Sequence, residues 1–519
     1  MTRKQIFVVF GGVMLGLFLA ALDQTIVATA LPKIIQDLNG GQHLSWVVTA
    51  YLLTSTVTVP LYGKLSDLIG RRPLFIFAIS VFLVGSALSG LAQNMTELIL
   101  FRGLQGLGAG GILPLALIVI GDLFSPRERG RYQGFTGAMF GLSSIVGPLL
   151  GGFLTDQVSW RWIFYVNIPI GAVALFVIVT TMHLPHVRKE HRVDYLGATV
   201  LTAAVVSLLL VATWGGTTYT WGSAQILGLG AAALVLFGVF VQVERRAAEP
   251  VLPLRLFRSP VFTVSNIASL VVGAVMFGTI IYIPLFVQRV IGASATNSGV
   301  VLIPLMLSVV FAVIAAGQIV TRTGRYKVFP VVGSTVALVG FWLLTRLTVH
   351  ATSGQATIAM VVIGLGIGQM MQTYTLAVQN DAKREEMGVA TATTQFSRSI
   401  GGTFGVAAFG TILLQRFATE KVLHPGAPRL ALAHSLHLVF VAAVPLAAIA
   451  LVLAFLLKEK PLRTEAFVQA SAAEVATDVA VLPMGPEATS ELAAAGQGRP
   501  DDDERAGEEQ PASASSHPL

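Results

Sequence analysis

Three ionisable side chains lie deep inside long apolar stretches of this sequence: Asp23, Arg102 and Arg398. An unpaired charge in hydrocarbon costs at least about 2.5 kcal/mol, so such residues face a bundle interior and pair with one another. A guanidinium beside a carboxylate favours its ionised form, whereas removal from water favours its protonated form. A carboxylate held between these influences can bind or release a proton when a cation leaves or arrives. The expected chemistry is proton exchange within a membrane.

Helical geometry predicts that Asp23 and Arg102 lie at similar depth. The first apolar stretch ends near Leu31, and the fourth begins near Thr96 on the same side of the membrane. At 1.5 Å per residue, Asp23 lies about 12 Å and Arg102 about 9 Å below that side. The two side chains can therefore pair across one cavity.

Polar residues late in the chain are candidates for contacts with a substrate in that cavity. With Asp23, they are Gln369, Gln372, Gln395 and Arg398. Three glycines between residues 364 and 368 leave helix packing as the alternative interpretation of this region, because small residues let membrane helices approach closely.

The composition predicts an all-α polytopic membrane protein. Hydrophobic residues make up 54% of the 519 residues and charged residues only 12%, against about a quarter in average soluble chains. A helix needs about 20 apolar residues to span a bilayer, and we expect fourteen spans. They run near 6–31, 44–62, 73–92, 96–121, 131–155, 162–182, 195–213, 221–243, 260–287, 296–320, 326–348, 355–379, 387–415 and 433–457.

Several functional classes are disfavoured by the same composition. The chain contains no cysteine, which excludes disulfides, thiolate metal sites and iron–sulfur clusters. No soluble catalytic domain is visible, so we expect neither an enzyme nor a cofactor. The net charge of +7 comes from basic residues beside helix ends, which does not fit a nucleic-acid-binding patch with interleaved aromatics.

The distribution of basic residues predicts the orientation. The loops on the side of both termini hold 23 Lys and Arg residues up to residue 463, and the opposite loops hold seven. Cytoplasmic loops carry the excess of these residues. Both termini are therefore expected in the cytoplasm, with the protein in the plasma membrane, a bacterial inner membrane.

A faint internal repeat predicts two related halves. Residues 317–327 follow the tenth span much as residues 63–72 follow the second, with Thr321 in place of an aspartate. Secondary transporters commonly have such symmetry and bind substrate between the halves near the midplane. We expect a first six-helix bundle at 1–182, a two-helix insertion with linkers at 183–259, a second bundle at 260–457 and a disordered tail at 458–519.

The turn after the second span, Gly-Lys-Leu-Ser-Asp-Leu-Ile-Gly-Arg-Arg-Pro-Leu at residues 63–74, resembles the loop between helices 2 and 3 of the major facilitator superfamily. It matches the pattern at Gly63, Leu65, Asp67, Gly70, Arg71 and Arg72, and departs at Ser66 and Leu68. This resemblance implies a secondary transporter built from two six-helix bundles, here with two additional central helices.

Other segments are similar to the fourteen-span drug:proton antiporters of that superfamily. Residues 22–32 resemble the motif L-D-x-T-I-V-N-V-A-L-P, with Ala28 and Thr29 replacing Asn and Val, and residues 102–106 match R-G-x-Q-G. The second match assigns proton coupling to Arg102 and Gln105. Residues 160–171 follow the W-R-W-I-F-x-x-N-x-P-x-G pattern, which includes Asn167.

The fifth span resembles the motif that is typical of antiporters, as opposed to symporters. Its residues are Gly147, Pro148, Gly151 and Gly152. A proline removes one helical hydrogen bond, and flanking glycines permit bending and close packing. We expect this helix to seal the outer side, with a kinked packing helix as the alternative.

We further expect the turn at residues 63–72 to act as an inner gate. In this hypothesis, Asp67 contacts the amino end of the thirteenth span near Met387, while Arg71 or Arg72 meets Asp122. Gly63 and Gly70 belong to the same motif. The alternative is that the two arginines serve only topology.

Two resemblances are misleading. Residues 1–30 look like a signal peptide, but the apolar stretch is too long and contains Asp23. Gly106, Gly108 and Gly111 satisfy G-x-G-x-x-G within a span, whereas a dinucleotide site needs a preceding strand, so we expect packing. No G-x-x-x-x-G-K-[ST] motif occurs in the sequence, which leaves a gradient as the energy source.

The positions of the acidic residues between 260 and 457 decide which gradient is expected to drive transport. Asp381, Glu385, Glu386 and Glu420 all fall in predicted loops, so Asp23 is expected to be the titrating acid of the cavity. Exchange of one proton for one monovalent cation moves no net charge, and the membrane potential then contributes nothing.

The expected function is proton-coupled export of amphipathic, cationic compounds by a monomer. Its partners are a small amphipathic substrate, protons and the lipid bilayer. One alternative is a dedicated exporter of an endogenous metabolite or lipid, and another is a membrane sensor that does not transport. A buried titratable pair argues against the sensor, which has no need of one.

Overall fold

The chain forms long α-helices in a computed structural model that describes residues 3–38, 44–182, 194–216, 218–247, 249–292 and 295–462. The first half contains α1 (Arg3–Leu38), α2 (Leu44–Ile69), α3 (Arg71–Leu91), α4 (Met95–Leu123), α5 (Pro126–Gln157), α6 (Trp162–Tyr165) and α7 (Asn167–Thr181). It is followed by α8 (Tyr195–Trp214), α9 (Ala224–Arg246), α10 (Pro260–Phe286), α11 (Ala295–Thr323), α12 (Val328–Thr345), α13 (Ser353–Asp381), α14 (Met387–Leu423) and α15 (Pro428–Leu456).

Every predicted span falls on a helix, with α6 and α7 together forming the sixth. Within the described residues, thirteen helices are long and apolar enough to cross a membrane. The remaining predicted span is α2, which carries Thr49, Thr54, Thr56 and Thr58 and is not among the thirteen. The prediction of a polytopic all-α protein is confirmed. The predicted tail lies outside the described residues from residue 463 onward.

The first bundle is held together by glycines on α4 that allow α2 and α3 to approach closely. A Cβ atom on Gly106 would lie 2.5 Å from the Tyr51 carbonyl oxygen of α2, and one on Gly108 would clash with the Phe82 backbone of α3. These glycines belong to the G-x-G-x-x-G pattern, and they have the packing role expected for a membrane helix.

The second bundle repeats this construction with α10 and α14. A Cβ atom on Gly405 would lie 2.5 Å from the Ala274 Cα atom, and one on Gly401 would clash with the Leu270 carbonyl oxygen. The buried core of this half extends over α10 to α15. Two six-helix bundles therefore each have their own closely packed interior.

The α8–α9 pair packs beside both bundles. Its buried residues Leu201, Val205 and Phe240 cluster with Val57 of α2, and the Trp221 indole donates to the Thr411 hydroxyl of α14 at 3.0 Å. The pair thus contacts one helix from each half. Most of the linker before it, residues 183–193, lies outside the described residues.

The expectation that the late acids lie in loops is wrong for Glu420. This residue lies within α14, which continues eight residues beyond the predicted end of the span at 415, and its side chain is only 2% exposed. Arg416 and Glu420 pair one turn apart at 2.6 Å within this extension of the helix, whereas an apolar stretch shows only where hydrocarbon contact ends. Asp381 also lies on a helix, as the last residue of α13.

We expect Gly106→Ala to lower the thermal unfolding temperature of the purified protein, because the added Cβ would force α2 away from α4. Overpacking of this kind costs about 1–3 kcal/mol. Gly103→Ala, one turn earlier on the same helix, is the matched control, because its Cβ would meet one Thr54 methyl group at 3.9 Å. Equal unfolding temperatures for the two variants would contradict close packing at Gly106.

Candidate functional site

Asp23 lies at the centre of a buried polar cluster made by α1, α4 and α7. The Arg102 Nη1 atom donates to Asp23 Oδ2 at 2.7 Å, and Gln105 Nε2 donates to Asp23 Oδ1 at 2.8 Å. The Gln105 amide oxygen accepts from the same Arg102 nitrogen at 2.7 Å. Arg102 and Gln105 lie one turn apart on α4, so a single helix presents both donors to the carboxylate.

Asn167 completes the set of donors around Asp23. Its Nδ2 atom donates to Asp23 Oδ1 at 3.1 Å and to the Ser86 hydroxyl at 3.0 Å. Ser86 in turn donates to the Phe164 carbonyl oxygen at 2.9 Å, at the junction of α6 and α7. The carboxylate is therefore linked to α3 and α7 as well as to α4.

An aromatic ring covers the guanidinium. The Arg102 Cζ atom lies 4.1 Å from the centroid of the Tyr51 ring of α2, a distance at which a cation is attracted to the face of the ring. Asp23, Gln105 and Asn167 are fully buried, and Arg102 is 2% exposed. In this conformation the carboxylate is shielded from both water and substrate.

The candidate substrate contacts of the second half do not gather around Asp23. Arg398 is buried, donates to the carbonyl oxygen of Met371 and to the Thr375 hydroxyl at 3.4 Å, and contacts the Gln395 amide oxygen at 3.3 Å. These partners are neutral. The described structure thus shows a buried guanidinium held by dipoles, in contrast to the ion pair of Arg102.

Gln372 and Gln369 lie on α13 where it faces the first half. Gln372 Nε2 donates to the Thr136 hydroxyl of α5 at 2.6 Å, and Gln369 Nε2 donates to the Leu365 carbonyl oxygen of its own helix at 3.0 Å. Both line a cavity of only about 10 Å³, which has room for about one water molecule. Gln369 and Gln372 are therefore packed here without space for a substrate beside them.

The contacts predicted for the turn after α2 are confirmed. Asp67 accepts from the backbone nitrogen of Gly388 at 3.1 Å and from that of Val389 at 3.0 Å, at the amino end of α14. Helix amino ends carry partial positive charge and unpaired N–H groups, which stabilise a carboxylate. The two bundles are thereby joined at this end.

Arg71 links two carboxylates in the same place. Its Nη2 atom lies 2.8 Å from Asp67 Oδ1, and its Nε atom lies 3.0 Å from Asp122 Oδ2 at the end of α4. Arg72 instead donates to the Val179 carbonyl oxygen of α7 at 2.6 Å. Gly70, between α2 and α3, has a φ of 100°, a conformation that favours glycine.

Glycines bring the backbones of the two bundles together beside this cluster. A Cβ on Gly63 would clash with Ala392, and one on Gly388 would lie 2.5 Å from Asp67 Oδ1. On α5, a Cβ at Gly130 would lie 3.0 Å from the Gly317 carbonyl oxygen of α11. Gln133 Nε2 donates across the same interface to Gln379 Oε1 at 2.9 Å. This end of the transmembrane region is closed.

The two ends of the glycine–proline motif on α5 have different neighbours. A Cβ on Gly147 would clash with Thr25 of α1, whose hydroxyl donates to the Ser143 carbonyl oxygen at 2.9 Å. Gly151 is buried, whereas a Cβ on Gly152 would meet no atom within 4 Å. Pro148 lies inside the helix, one residue after this contact between α5 and α1.

A protein-family model described as the Major Facilitator Superfamily matches residues 13–406 of the sequence. The chain belongs to this superfamily. Members of the superfamily carry small molecules across membranes, so the protein is a multi-pass membrane transporter and not an enzyme.

The superfamily members most similar in sequence include two proteins of Bacillus subtilis. Multidrug transporter protein MdtP is 44% identical over 415 residues, which cover 79% of this chain and 76% of that protein. Multidrug resistance protein 3 is 38% identical over 414 residues and 80% of each chain. The solved structure of the proton:xylose symporter XylE matches with a TM-score of 0.64 at 16% identity, covering 91% of this chain and all of that one, and supports the fold alone.

The sequence did not single out several members of the polar cluster. Asn167 and Ser86 are fully buried but neutral, and a neutral polar residue in a membrane helix serves packing as often as chemistry. Asn167 occurs in the W-R-W-I-F-x-x-N-x-P-x-G pattern, which was the available signal. Gln133 and Gln379 meet across the two bundles although they are 246 residues apart in the sequence.

We expect Asp67→Asn to loosen the closed end of the transporter while leaving its insertion intact. The substitution removes the charge that pairs with Arg71 and turns an amide nitrogen toward a backbone N–H group, at a cost of about 1–3 kcal/mol. Because the chain lacks cysteine, Gln133→Cys provides one buried thiol at the interface. A water-soluble maleimide should modify that thiol faster in the Asp67→Asn variant.

Asp156→Asn in the same Gln133→Cys background is the control, because Asp156 is an exposed residue of α5. Its labelling rate should equal that of the parent protein. If Asp67→Asn also left the rate unchanged, the contact between Asp67 and α14 would not hold this end closed.

Proposed function

We propose that this superfamily member is a proton-coupled antiporter that exports amphipathic, cationic compounds. The observation that carries the proposal is the fully buried Asp23 carboxylate, bonded at 2.7 Å to Arg102. Ionisable residues inside membrane segments are rare and typically mark proton or substrate pathways. The names of the two Bacillus relatives support drugs as the substrate class, and the resemblance of residues 147–152 to an antiporter motif supports export as the direction.

The geometry supports a role for Asp23 as the proton-carrying group. When ionised, the carboxylate is stabilised by three donors, Arg102, Gln105 and Asn167. Protonation would remove the ion pair and leave Arg102 with the Gln105 oxygen and the Tyr51 ring. Because the donors belong to α4 and α7, the proton would change how tightly these helices hold α1. Proton binding can thereby bias one arrangement of the bundle over another.

We assign the closed end to the cytoplasm, because the loops on that side hold most of the Lys and Arg residues. The conformation described here is then closed on the cytoplasmic side, where Asp67 contacts the amino end of α14 and Gly130 packs against Gly317. Alternating access requires these contacts to separate when the opposite end closes. The inner-gate role of Gly63, Asp67, Gly70, Arg71, Arg72 and Asp122 is part of this proposal.

A second candidate function follows from Arg398. In the described structure its partners are neutral, so its charge remains available to a substrate that reaches it. A guanidinium favours carbonyl, carboxylate or phosphate groups and repels cations. An endogenous metabolite with such groups is therefore the alternative cargo, carried by the same architecture.

The proposal is tested with energised inside-out vesicles that contain the protein and have an acidic interior. Addition of the fluorescent lipophilic cation ethidium should dissipate the pH gradient in the wild type. Asp23→Asn should reduce the rate to that of empty vesicles, because the amide cannot release a proton. Asp156→Asn, the same change at an exposed position, should match the wild type.

Two results would overturn parts of the proposal. Ethidium-dependent dissipation by Asp23→Asn at the wild-type rate would exclude Asp23 as the proton carrier. Failure of the wild type with ethidium and a panel of other cations, together with a response to an anionic or neutral compound, would replace the cationic cargo by the alternative.

A further inference from the structure

A cluster of two histidines and a glutamate lies at the end of the second bundle opposite the Asp67 contact. Glu420 and His424 belong to the last turn of α14 and its cap, and His434 lies on α15 after the connecting turn. One ligand atom from each residue lies within 4.8 Å of the other two. None of these residues takes part in the proton site or the closed end.

The two imidazoles converge on one carboxylate oxygen. His434 Nδ1 lies 3.0 Å and His424 Nδ1 lies 3.3 Å from Glu420 Oε2. Ligands that bind tetrahedral zinc at about 2.0–2.1 Å are separated from each other by about 3.3 Å. Both nitrogen–oxygen spacings fit a metal site, and in the described structure the His434 contact is a hydrogen bond.

The His424 nitrogen provides a second, independent observation. Its Nδ1 atom is buried and makes no hydrogen bond in the described structure, although it lies near the carboxylate oxygen. A buried polar atom without a hydrogen bond calls for an explanation, and an ion that binds there is one such explanation. His434 is half-exposed, which leaves the site a route to water.

Arg416 positions the carboxylate for this role. Its Nη2 atom binds the other oxygen, Glu420 Oε1, at 2.6 Å, so Oε2 is left to the histidines. Partners of this kind orient ligands and tune their basicity. Glu420 is only 2% exposed. Its carboxylate is held between Arg416 on one side and the two histidines on the other.

We propose that Glu420, His424 and His434 form a binding site for a transition-metal dication, with Zn²⁺ as the best fit. Two imidazoles and one carboxylate are a known zinc ligand set, and three protein ligands leave the fourth position to water. Nitrogen ligands disfavour Mg²⁺ and Ca²⁺, which prefer oxygen. The bound ion would tie α14 to α15 across the turn at residues 424–427.

The test measures Zn²⁺ binding to the full-length protein in detergent, without a histidine tag, by competition with a fluorescent chelator. Five further histidines, at positions 43, 183, 186, 191 and 517, lie outside the described residues, so the quantity compared is the number of ions that each substitution removes. Glu420→Gln and His434→Asn should each remove one Zn²⁺ per protein, or weaken its binding by more than about tenfold. His437→Asn is the control, an exposed histidine one turn along α15, and should bind as the wild type does.

Thermal unfolding separates ligand loss from misfolding. Without metal, the variants should unfold near the wild-type temperature, whereas added Zn²⁺ should raise that temperature only for the wild type and His437→Asn, because ligands stabilise the state that binds them. Zn²⁺ binding of equal stoichiometry and affinity in Glu420→Gln, His434→Asn and wild type would overturn the proposal. So would the absence of any tight binding by the wild type.

Discussion

An ionised carboxylate removed from water needs donors at fixed positions, and around Asp23 these donors come from two helices other than its own. Arg102 and Gln105 project from one face of α4, and Asn167 begins α7. Removing a partner from a buried ion pair costs about 3–5 kcal/mol, because the other charge is left uncompensated. The relative positions of α1, α4 and α7 therefore depend on the charge state of Asp23. This dependence makes the site suitable for coupling a proton to a conformational change.

The closed end of the transporter uses weaker and more numerous interactions. Asp67 rests on two backbone N–H groups of α14, and glycines on α2, α5 and α11 let the backbones of the two halves meet. Each hydrogen bond to a charged group contributes about 1.5–3 kcal/mol net, which is less than the cost of about 3–5 kcal/mol for breaking a buried ion pair. The first bundle thus has a strong ion pair in its interior, and the contact between the bundles is reversible. Both features suit the proposed alternation between two arrangements.

Much of this architecture could be predicted, because the bilayer imposes span length and excludes unpaired charge. Helical rise alone placed Asp23 and Arg102 at one depth, and they form an ion pair at 2.7 Å. The contact of Asp67 with α14 and that of Arg71 with Asp122 were likewise expected from the turn that follows α2, and both occur.

Other features could not be predicted, for physical reasons. Neutral Asn167 carries no charge whose burial would mark it in the sequence. Glu420 was assigned to a loop because hydropathy locates the edge of the hydrocarbon, whereas α14 continues beyond that edge. His434 meets Glu420 through the turn between α14 and α15, and Gln133 meets Gln379 across the two halves, 246 residues apart in the sequence.

The central claim is that Asp23 carries the exchanged proton. It is tested most directly by counting protons released when a transported cation is added to purified protein in weakly buffered detergent solution. The account predicts release of close to one proton per bound cation for the wild type when Asp23 is protonated before the cation is added, and none for Asp23→Asn when that variant still binds the cation. Equal release by the two proteins would contradict the account and require a different titrating group.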